Sequence, residues 1–285
     1  MRVRDPLLGT RCEVEVRAAS VEAIDTAELA VLAEVERLEM IFTLFDEASE
    51  LHTLRRLGET ASVELNEVWQ IALLWHQRTG GVFHHALQPL VDVWAEAAES
   101  DRVPSTNALA EAVTILDPSG HTHLDFNALA KGWIADRGLA AAFASDQAPS
   151  SGWLSLGGDL VHRGEGSVAV GIQDPARPYD NVAPLATIDI TSEALATSGT
   201  GHRYWTIDGE RYSRVLDPRT GIPVDHVRSA TVVAPTAATA DVLATVALVL
   251  DPAETISLVA SHNAHCLLVT ATGEVVQTTD RFRPA

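Results

Sequence analysis

The sequence predicts an α+β fold in which helices dominate the first half of the chain and strands the second. Apolar residues recur at helical spacing over 21–45, whereas short runs of strand-forming residues fill most of 152–234. No internal repeat, and no linker rich in Pro, Gly or Ser, separates the two halves. We therefore expect one unit over residues 1–285, helix-rich over 1–150 and strand-rich over 151–285.

Apolar periodicity and end signals place the helices. They are predicted at 21–45, 66–79, 105–113, 129–145, 238–250 and 252–261. Asn66 is expected to cap the second of them, and Gly80 lies just past its end. The chain then breaks and restarts around Pro89, because proline cannot continue a helix that begins before it.

Alternation of apolar and polar residues places the strands. An early strand is predicted for TRCEVEVRA. A hairpin around an Asp-Pro-Ser-Gly turn is predicted for TILDPSGHTHLDF, with Asp125 at the end of its second strand. The later strands are GWLSLGG, SVAVGIQ, ATIDIT, ALATS, RYWTIDG, YSRVLDP, RSATVVAP and a closing hairpin, HCLLVTATGEVVQTT.

The composition describes a folded globular chain and excludes several classes of partner. Apolar residues make up 46% of the chain and charged residues 21%. A net charge of −19 repels nucleic acid and anionic membranes, so we expect neither as a partner. No apolar run reaches about 18 residues and no signal peptide is evident, so we expect no membrane anchor and a cytoplasmic location.

Cysteine and histidine form no recognised metal motif. Cys12 and Cys266 lie in predicted strands outside any CxxC or Cys/His cluster, so we expect buried free thiols. The histidine pairs at 84/85, 121/123 and 262/265 lack the spacing of a zinc site. Zinc is therefore not expected.

The segment ADVLATVAL carries two oxygen ligands at helical spacing. Asp241 and Thr245 are four residues apart and share one face of a predicted helix. A carboxylate and a hydroxyl are hard donors that Mg²⁺ accepts while it keeps water and phosphate oxygens in its other positions. Two structural alternatives remain open: Asp241 as a helix cap, and Thr245 bonded back to a helix carbonyl.

The segment LDFNALAKGWIAD contains the single lysine of the chain, Lys131, near the start of a predicted helix. Backbone amides and the helix dipole favour an anion there, and a lysine adds a compact point charge. The structural alternative is a solvated lysine paired with Asp125 or Asp136. The absence of lysine elsewhere in the chain favours a specific role for Lys131.

The segment SRVLDPRTGIP predicts a tight turn after a strand. Asp217 and Thr220 can hold such a turn by local hydrogen bonds, and Gly221 can adopt its positive φ. By itself this motif predicts no chemistry.

Taken together and in order, these segments resemble the FAD:protein FMN transferases, the ApbE-like flavin transferase family. The resemblance runs from LLGT (7–10) to ADVLATVAL through GGVFHHALQPLVDVW, LDFNALAKGWIAD, SLGGDL, VGIQDP, LATSG and YSRVLDPRTGIPV. It implies a single α+β unit with mixed, mostly antiparallel sheets and packed helices.

The resemblance also implies an activity. Members of the family bind FAD and Mg²⁺, split the diphosphate and transfer FMN to a threonine of a target flavoprotein, releasing AMP. The modification is a covalent flavinylation after translation. Some members instead hydrolyse FAD to FMN and AMP. The expected partners here are FAD and an acceptor flavoprotein with a threonine target.

Site residues carry over position by position from the resemblance. The expected metal ligands are the carbonyl of Ala128 and the side chains of Asp241 and Thr245. The expected flavin-binding positions are Leu8, Phe45, Val82, Phe83, His84, Asp125, Lys131 and Val215. In this environment a small ammonium is expected to fit where a planar guanidinium would not.

Three side chains differ from the family pattern. Arg214 stands where the family usually has histidine, and a guanidinium cannot accept a proton as a general base. It is assigned here to the reacting centre, where it can stabilise diphosphate charge. His84 replaces an aspartate, and Phe45 replaces a common tyrosine while keeping the stacking face. The lipoprotein signal of many members is not evident either.

These differences leave three functions open. The first is Mg²⁺-dependent transfer of FMN from FAD to a protein threonine. The second is an FAD diphosphatase, which releases FMN and AMP to water. The third is a non-catalytic protein that binds and delivers FAD, which Arg214 and His84 favour.

Overall fold

The computed structural model describes residues 1–59, 62–144, 148–179, 181–201 and 203–285. Its helices are α1 (Val21–Phe42), α2 (Glu50–Leu57), α3 (Val63–Arg78), α4 (Gln88–Ser100), α5 (Thr106–Thr114), α6 (Ala130–Ala142), α7 (Ala237–Val249) and α8 (Pro252–Ser261). The predicted helices are present with shifted ends, and α2 is additional. Ser145, at the end of one predicted helix, lies outside the described residues.

The strands are β1 (Arg2–Leu7), β2 (Thr10–Arg17), β3 (Ser151–Leu156), β4 (Asp159–Gly164), β5 (Val168–Ile172), β6 (Ala186–Ile190), β7 (Ala194–Gly199), β8 (Tyr204–Ile207), β9 (Glu210–Ser213), β10 (Val227–Ala234), β11 (His265–Thr270), β12 (Val275–Gln277) and β13 (Arg283–Pro284). The main sheet has the order β1-β2-β3-β4-β7-β10-β11-β12, and smaller sheets are formed by β13-β6-β5 and β8-β9. Every pairing between these strands is antiparallel, which confirms the α+β expectation with mostly antiparallel sheets.

The hairpin predicted for TILDPSGHTHLDF is wrong. The Asp-Pro-Ser-Gly turn is present, with Asp117 accepting from the amides of Ser119 and Gly120. No strand flanks it, because the backbone of this segment is hydrogen-bonded to other parts of the chain instead. The amide of Asp125 donates to the carbonyl of His85 at 2.7 Å, and the carbonyl of Pro118 accepts from the ring of that histidine. Asp125 therefore does not end a strand.

Two other local predictions need correction. Helix α3 is capped by the side chain of Ser62, which accepts from the amide of Leu65, and Asn66 lies inside its first turn. The strand predicted for YSRVLDP ends at Ser213. The following residues form a turn in which Asp217 accepts from the amides of Thr220 and Gly221. The strand propensity of the sequence continues through Arg214, so it did not show that the strand ends before this residue.

Helices α1, α6 and α7 cover one face of the main sheet, and α1 packs against both α6 and the strands β1 and β2. A glycine allows α6 and α7 to approach closely: a Cβ on Gly132 would lie 2.3 Å from the carbonyl oxygen of Ala237. Asp136 joins the same two helices, since its carboxylate accepts from the amides of Ala237 and Ala238 at 3.0 Å each. The start of α6 and the first turns of α7 are therefore held side by side.

Alternation along the central strands buries the other face of the main sheet as well. Val232 belongs to the helix-covered core. The side chain of Val233 lies on the other face and packs in one cluster with Ile188 of the sheet β13-β6-β5. A third apolar cluster joins α4 and α5 to the β8-β9 hairpin around Trp94 and Trp205. Because both faces of the sheet are covered, the chemistry of the site lies at strand ends and helix ends.

The cysteines Cys12 and Cys266 are buried and free, as predicted. Within the residues that the structure describes, no helix has both the length and the apolar character needed to cross a membrane.

Candidate functional site

The centre of the candidate site is a group of three charged side chains from α6, β4 and α7. The ammonium of Lys131 pairs with the Oδ2 of Asp159 and lies 3.6 Å from the Oδ2 of Asp241. Both carboxylates are almost fully buried, whereas the lysine side chain is about a third exposed, at 34%. The structural alternative, a solvated Lys131 paired with Asp125 or Asp136, is therefore wrong.

Backbone amides fix the two carboxylates in place. The amide of Gly132 donates to the Oδ2 of Asp241 at 3.2 Å, and the amide of Thr197 donates to the Oδ1 of Asp159 at 3.4 Å. Asp241 is not a helix cap, because the cap of α7 is Thr236, five residues earlier. The hydroxyl of Thr245 lies one turn further along and shares a 3.3 Å hydrogen bond with that of Ser198 on β7.

These oxygens form a donor set that fits a hard divalent cation. Asp241 supplies a carboxylate and Thr245 a hydroxyl, both on one face of α7. The third expected ligand, the carbonyl of Ala128, lies just before Leu129, the N-cap of α6, and four residues before Gly132, whose amide donates to Asp241. One carboxylate with two neutral oxygens leaves room for water and phosphate, as Mg²⁺ requires. Among the described residues, His, Cys, Asp and Glu side chains do not gather in groups of three or more around a metal position.

At the centre, burial and the neighbouring opposite charges act in opposite directions on the pKa of Lys131 and on that of Asp241. Burial opposes the charged form of Lys131, but the carboxylates of Asp241 and Asp159 outweigh it and raise the lysine pKa above its ordinary value. Burial raises the pKa of Asp241, and Lys131 opposes that rise. Both directions follow from two buried carboxylates that share one cation.

The expected flavin-binding residues on the 82–84 segment lie at the edge of the core. Val82 and Phe83 are buried, and His84 is half-buried. His84 accepts from the amide of Ala86 on its Nδ1 at 3.1 Å, so its Nε2 carries the proton. Burial, with the neighbouring histidines His76 and His85, lowers the pKa of His84 to about 3. His84 is thus a neutral hydrogen-bond donor at the position where the family pattern has a carboxylate.

Asp125 lies next to this segment, because its amide donates to the carbonyl of His85. Burial raises the pKa of Asp125, while the amide and side chain of Asn127 and the cations of Arg55 and Arg203 oppose the rise. Asp125 is half-buried, so its carboxylate remains accessible to a ligand.

Leu8 and Phe45 lie on two turns that local hydrogen bonds hold in place. Leu8 has a positive φ of 55°, and its amide donates to Oε1 of Glu39 on α1 at 2.8 Å. Phe45 follows α1 and is 95% exposed, the opposite of a core aromatic. Its loop is held by the ring of His52, which donates to the carbonyl of Leu44 at 2.8 Å. A largely exposed aromatic ring on a loop held by hydrogen bonds is available for stacking with a planar ligand.

Val215 and Arg214 follow β9. Val215 is half-buried and packs against the main core. The exposed guanidinium of Arg214 lies over the ring of Trp205, 5.3 Å from its centroid. The amide of Arg214 donates to the carbonyl of Arg203, whose side chain acts on Asp125. The structure therefore places Arg214 on the side of the site formed by the β8-β9 hairpin.

Three residues of the centre are not predicted from the sequence: Asp159, Gly132 and Ser198. The segments SLGGDL and LATSG contribute to the family resemblance, but the sequence predicts no role for Asp159 or Ser198 within them. A carboxylate directly after two glycines was the one available signal for Asp159. Its link to Lys131 was not visible, because 28 residues separate the two.

A cavity of about 810 Å³ lies away from this centre, in the groove between α4 and α5. Val93, Ala112 and Ile115 contribute to its largely apolar lining, and His123 lies at one end. It contains none of the residues predicted for the site. The centre of the candidate site instead lies where the start of α6, the start of β4 and the first turns of α7 meet.

Comparison with known proteins identifies the family to which this arrangement belongs. Residues 8–268 match the ApbE family. The chain belongs to that family. A solved ApbE protein from Thermotoga maritima superposes with a TM-score of 0.83 at 26% identity, covering 97% of each chain. The flavinyl transferase ApbE of Pseudomonas stutzeri, in its apo form, gives a TM-score of 0.76 at 22% identity over 97% of this chain and 94% of its own, which supports the fold.

Curated relatives in the ApbE family carry an enzyme name. The FAD:protein FMN transferase of Treponema pallidum (strain Nichols) is 30% identical, covering 86% of this chain and 77% of its own length. The FAD:protein FMN transferase of Klebsiella pneumoniae (strain 342) is 27% identical, covering 95% of this chain and 84% of its own length. The expected family and enzyme class are confirmed.

Proposed function

We propose that this ApbE family protein transfers FMN from FAD to a threonine hydroxyl of an acceptor flavoprotein, with Mg²⁺ as its metal and AMP as the leaving group. The observation that carries the proposal is the approach of Lys131, in the first turn of α6, to Asp241 on α7, with Thr245 one turn further along the same face of α7. The names of the curated relatives support the reaction class. The threonine target and the cytoplasmic location remain predictions.

The chain supplies ligands for the metal and for the diphosphate. Asp241, Thr245 and the carbonyl of Ala128 would hold Mg²⁺, which when bound supplies Lewis-acid polarisation of the diphosphate oxygens. Lys131, in the first turn of α6, would add positive charge for the diphosphate when a bound Mg²⁺ offsets the carboxylates of Asp241 and Asp159. A local source of positive charge is needed because the net charge of −19 repels FAD.

The flavin end of the substrate would meet the second group of residues. Phe45 presents an exposed ring for stacking, and His84 and Asp125 present a donor and an acceptor, respectively. Leu8, Val82, Phe83 and Val215 supply apolar surface and backbone around them. This division assigns the flavin to the edge formed by the 43–49 loop and the 82–84 segment, and the diphosphate to the start of α6.

In the transfer step the threonine oxygen attacks the phosphorus that bears the riboflavin moiety, and the bond from that phosphorus to the bridging oxygen breaks. AMP leaves with the bridging oxygen, and the hydroxyl proton must pass to an acceptor. Arg214 cannot be this acceptor, because guanidinium remains protonated. A guanidinium at this position can bind phosphate charge, but the chain then lacks the general base that a histidine would supply there.

Purified protein, FAD, Mg²⁺ and a candidate acceptor flavoprotein test the proposal directly. We expect a fluorescent acceptor band in a denaturing gel, one AMP released per flavin attached, and loss of both with EDTA. Asp241→Asn should abolish the band, whereas Asp174→Asn, at a surface ion pair with Arg177, should not. AMP and FMN released without any acceptor would instead indicate an FAD diphosphatase.

A non-catalytic FAD-binding protein is the second candidate, and the combination of Arg214 and His84 favours it. This function predicts saturable FAD binding with no AMP release under any condition. Chromatography of FAD after incubation with protein and Mg²⁺ distinguishes it from both enzymatic functions.

A further inference from the structure

One ammonium is shared by two buried carboxylates at the centre of the site. Lys131 pairs with Asp159, and its Nζ lies 3.6 Å from the Oδ2 of Asp241. Both carboxylates are at most 4% exposed, so solvent screens them poorly. With the carboxylates ionised, the group of three carries one net negative charge.

The carboxylates are fixed and the ammonium can move. Asp241 is held by the amide of Gly132, and Asp159 by the amide of Thr197, each through the main chain of a regular element. Lys131 joins them through a flexible four-carbon stem, and its side chain is about a third exposed. A shift of the ammonium towards either carboxylate therefore requires only rotation of its own side chain.

The ammonium and a divalent cation compete for the same oxygens. Asp241 is the one carboxylate on the α7 face that also carries Thr245, and Lys131 already approaches its Oδ2. A cation bound to Asp241 would repel an ammonium 3.6 Å from the same carboxylate oxygen. Asp159 offers that ammonium a second, buried partner.

We propose that Lys131 is a place-holding cation for the metal-free site and that Asp159 is the positioning residue that retains its ammonium when a divalent cation takes Asp241. The inference rests on the metal ligands of the proposed function, and it assigns a role to Asp159. Lys131 thereby stays next to the metal, where it can meet a phosphate, and does not block Asp241.

The proposal predicts opposite effects of removing the two partners. Lys131→Met removes the competing ammonium and should tighten Mg²⁺ binding by on the order of tenfold. Asp159→Asn leaves the ammonium with Asp241 alone and should weaken Mg²⁺ binding by a similar, roughly tenfold factor. A purely structural ion pair predicts that both variants weaken binding or that neither changes it.

The experiment is isothermal titration of the purified full chain with Mg²⁺ alone, without FAD. Arg137→Met is the matched control: it removes a cation from the same helix, but from a surface pair with Glu67, and should leave the Mg²⁺ Kd unchanged. Thermal unfolding in EDTA establishes that each variant is folded. Because Lys131→Met leaves two buried carboxylates uncompensated, the double variant Lys131→Met/Asp159→Asn supplies a second comparison. It should bind Mg²⁺ more tightly than Asp159→Asn.

An unchanged Kd in Asp159→Asn, or a double variant no tighter than Asp159→Asn, would overturn the inference. Asp241→Asn separates this failure from failure of the metal site. If Asp241→Asn leaves Mg²⁺ binding intact, the proposed ligands are wrong and the inference falls with them. If the variants show the expected Kd values but the protein transfers no FMN to any acceptor, the inference is supported and the proposed function is contradicted.

Discussion

Lys131 shows at the scale of one residue why the type of cation matters. Its ammonium contacts Asp159 and approaches Asp241 within a space bounded by α6, α7 and β4. A guanidinium carries its charge on a larger, planar group and forms paired hydrogen bonds in a fixed plane. In a chain whose other long cationic side chains are all arginine, this position keeps the compact cation.

Lys131→Arg should therefore weaken FAD binding nearly as much as Lys131→Ala. The larger group cannot lie between two fixed carboxylates and also leave the start of α6 open to a diphosphate. Titration of FAD in the presence of Mg²⁺ measures the effect, and Arg137→Lys on the exposed side of α6 is the matched control. Unchanged FAD affinity in Lys131→Arg would remove the special role argued for this residue.

Arg214→His tests the most consequential departure from the family pattern. An imidazole with an ordinary pKa of about 6.5 can accept the proton of a threonine hydroxyl, a step worth roughly 10²- to 10⁴-fold in rate. We expect FMN transfer by the variant to exceed that of the parent and to rise with pH through the imidazole titration.

The neighbouring Arg211 provides the control for this variant. It lies over the ring of Tyr204 at 4.3 Å from the centroid, much as Arg214 lies over Trp205, so Arg211→His changes the same kind of contact on the same hairpin. Arg211→His should not raise transfer. Slower transfer and weaker FAD binding in Arg214→His would instead show that the guanidinium supports diphosphate charge.

At the scale of elements, the site depends on how closely α6 approaches α7. Gly132 permits that approach, and its amide also binds Asp241, so a single residue sets both the distance and the orientation. The carboxylate of Asp136 adds a second link to the first amides of α7. Both links lie within about two turns of α6, so they hold Lys131 at a fixed position relative to the metal ligands on α7.

Gly132→Ala should destabilise the protein by about 1–3 kcal/mol, the usual cost of overpacking a well-packed contact. The added Cβ would lie 2.3 Å from the backbone oxygen of Ala237, which cannot move without the helix. We also expect weaker Mg²⁺ binding, because the hydrogen bond from the backbone amide of residue 132 to Asp241 is lost as the helices separate. Urea unfolding and Mg²⁺ titration measure the two effects.

Arg137→Ala, on the exposed side of the same helix, is the comparison for Gly132→Ala. It loses a surface ion pair with Glu67 and the contact of its guanidinium with the ring of Trp133, and should cost about 1 kcal/mol. Equal stability of Gly132→Ala and the parent would show that α6 and α7 can separate freely.

At the scale of the whole molecule, buried histidines couple stability to pH. His85 is 1% exposed and stacks against Phe126, with its Nε2 bonded to the carbonyl of Pro118; among the described residues its Nδ1 has no hydrogen-bond partner. Burial lowers the pKa of His85 to about 4, although the Pro118 carbonyl opposes the shift. The native protein therefore holds this ring neutral in the range where the unfolded chain takes up a proton.

The free energy of unfolding should accordingly fall as the pH is lowered from about 7 towards 4. A group with a depressed native pKa contributes stability above its unfolded pKa of about 6.5 and loses it as the pH falls to the native value. His85→Phe keeps the aromatic packing and removes the titration, so its loss between pH 7 and pH 5 should be smaller than that of the parent by about 2 kcal/mol. Denaturant unfolding at the two pH values measures this difference, and equal losses would contradict the assignment.

The sequence by itself determined the features that depend on local spacing. Helix geometry alone places Asp241 and Thr245 on one face, and the same geometry places Lys131 in the first turn of α6. The order of short motifs determined the family, because order along a chain needs no knowledge of contacts. Where the local signal was ambiguous, as in TILDPSGHTHLDF, prediction from propensity failed.

Only the tertiary structure decided which residues surround these side chains. Asp159 reaches Lys131 because β4 lies between β3 and β7, beneath the start of α6, and this strand order cannot be read from neighbours in the sequence. The same holds for the exposed ring of Phe45, for Arg214 over Trp205 and for the partners that make Lys131 a shared cation. The physical reason is that burial and electrostatic pairing depend on distances between elements, whereas local spacing specifies only the face of an element on which a residue lies.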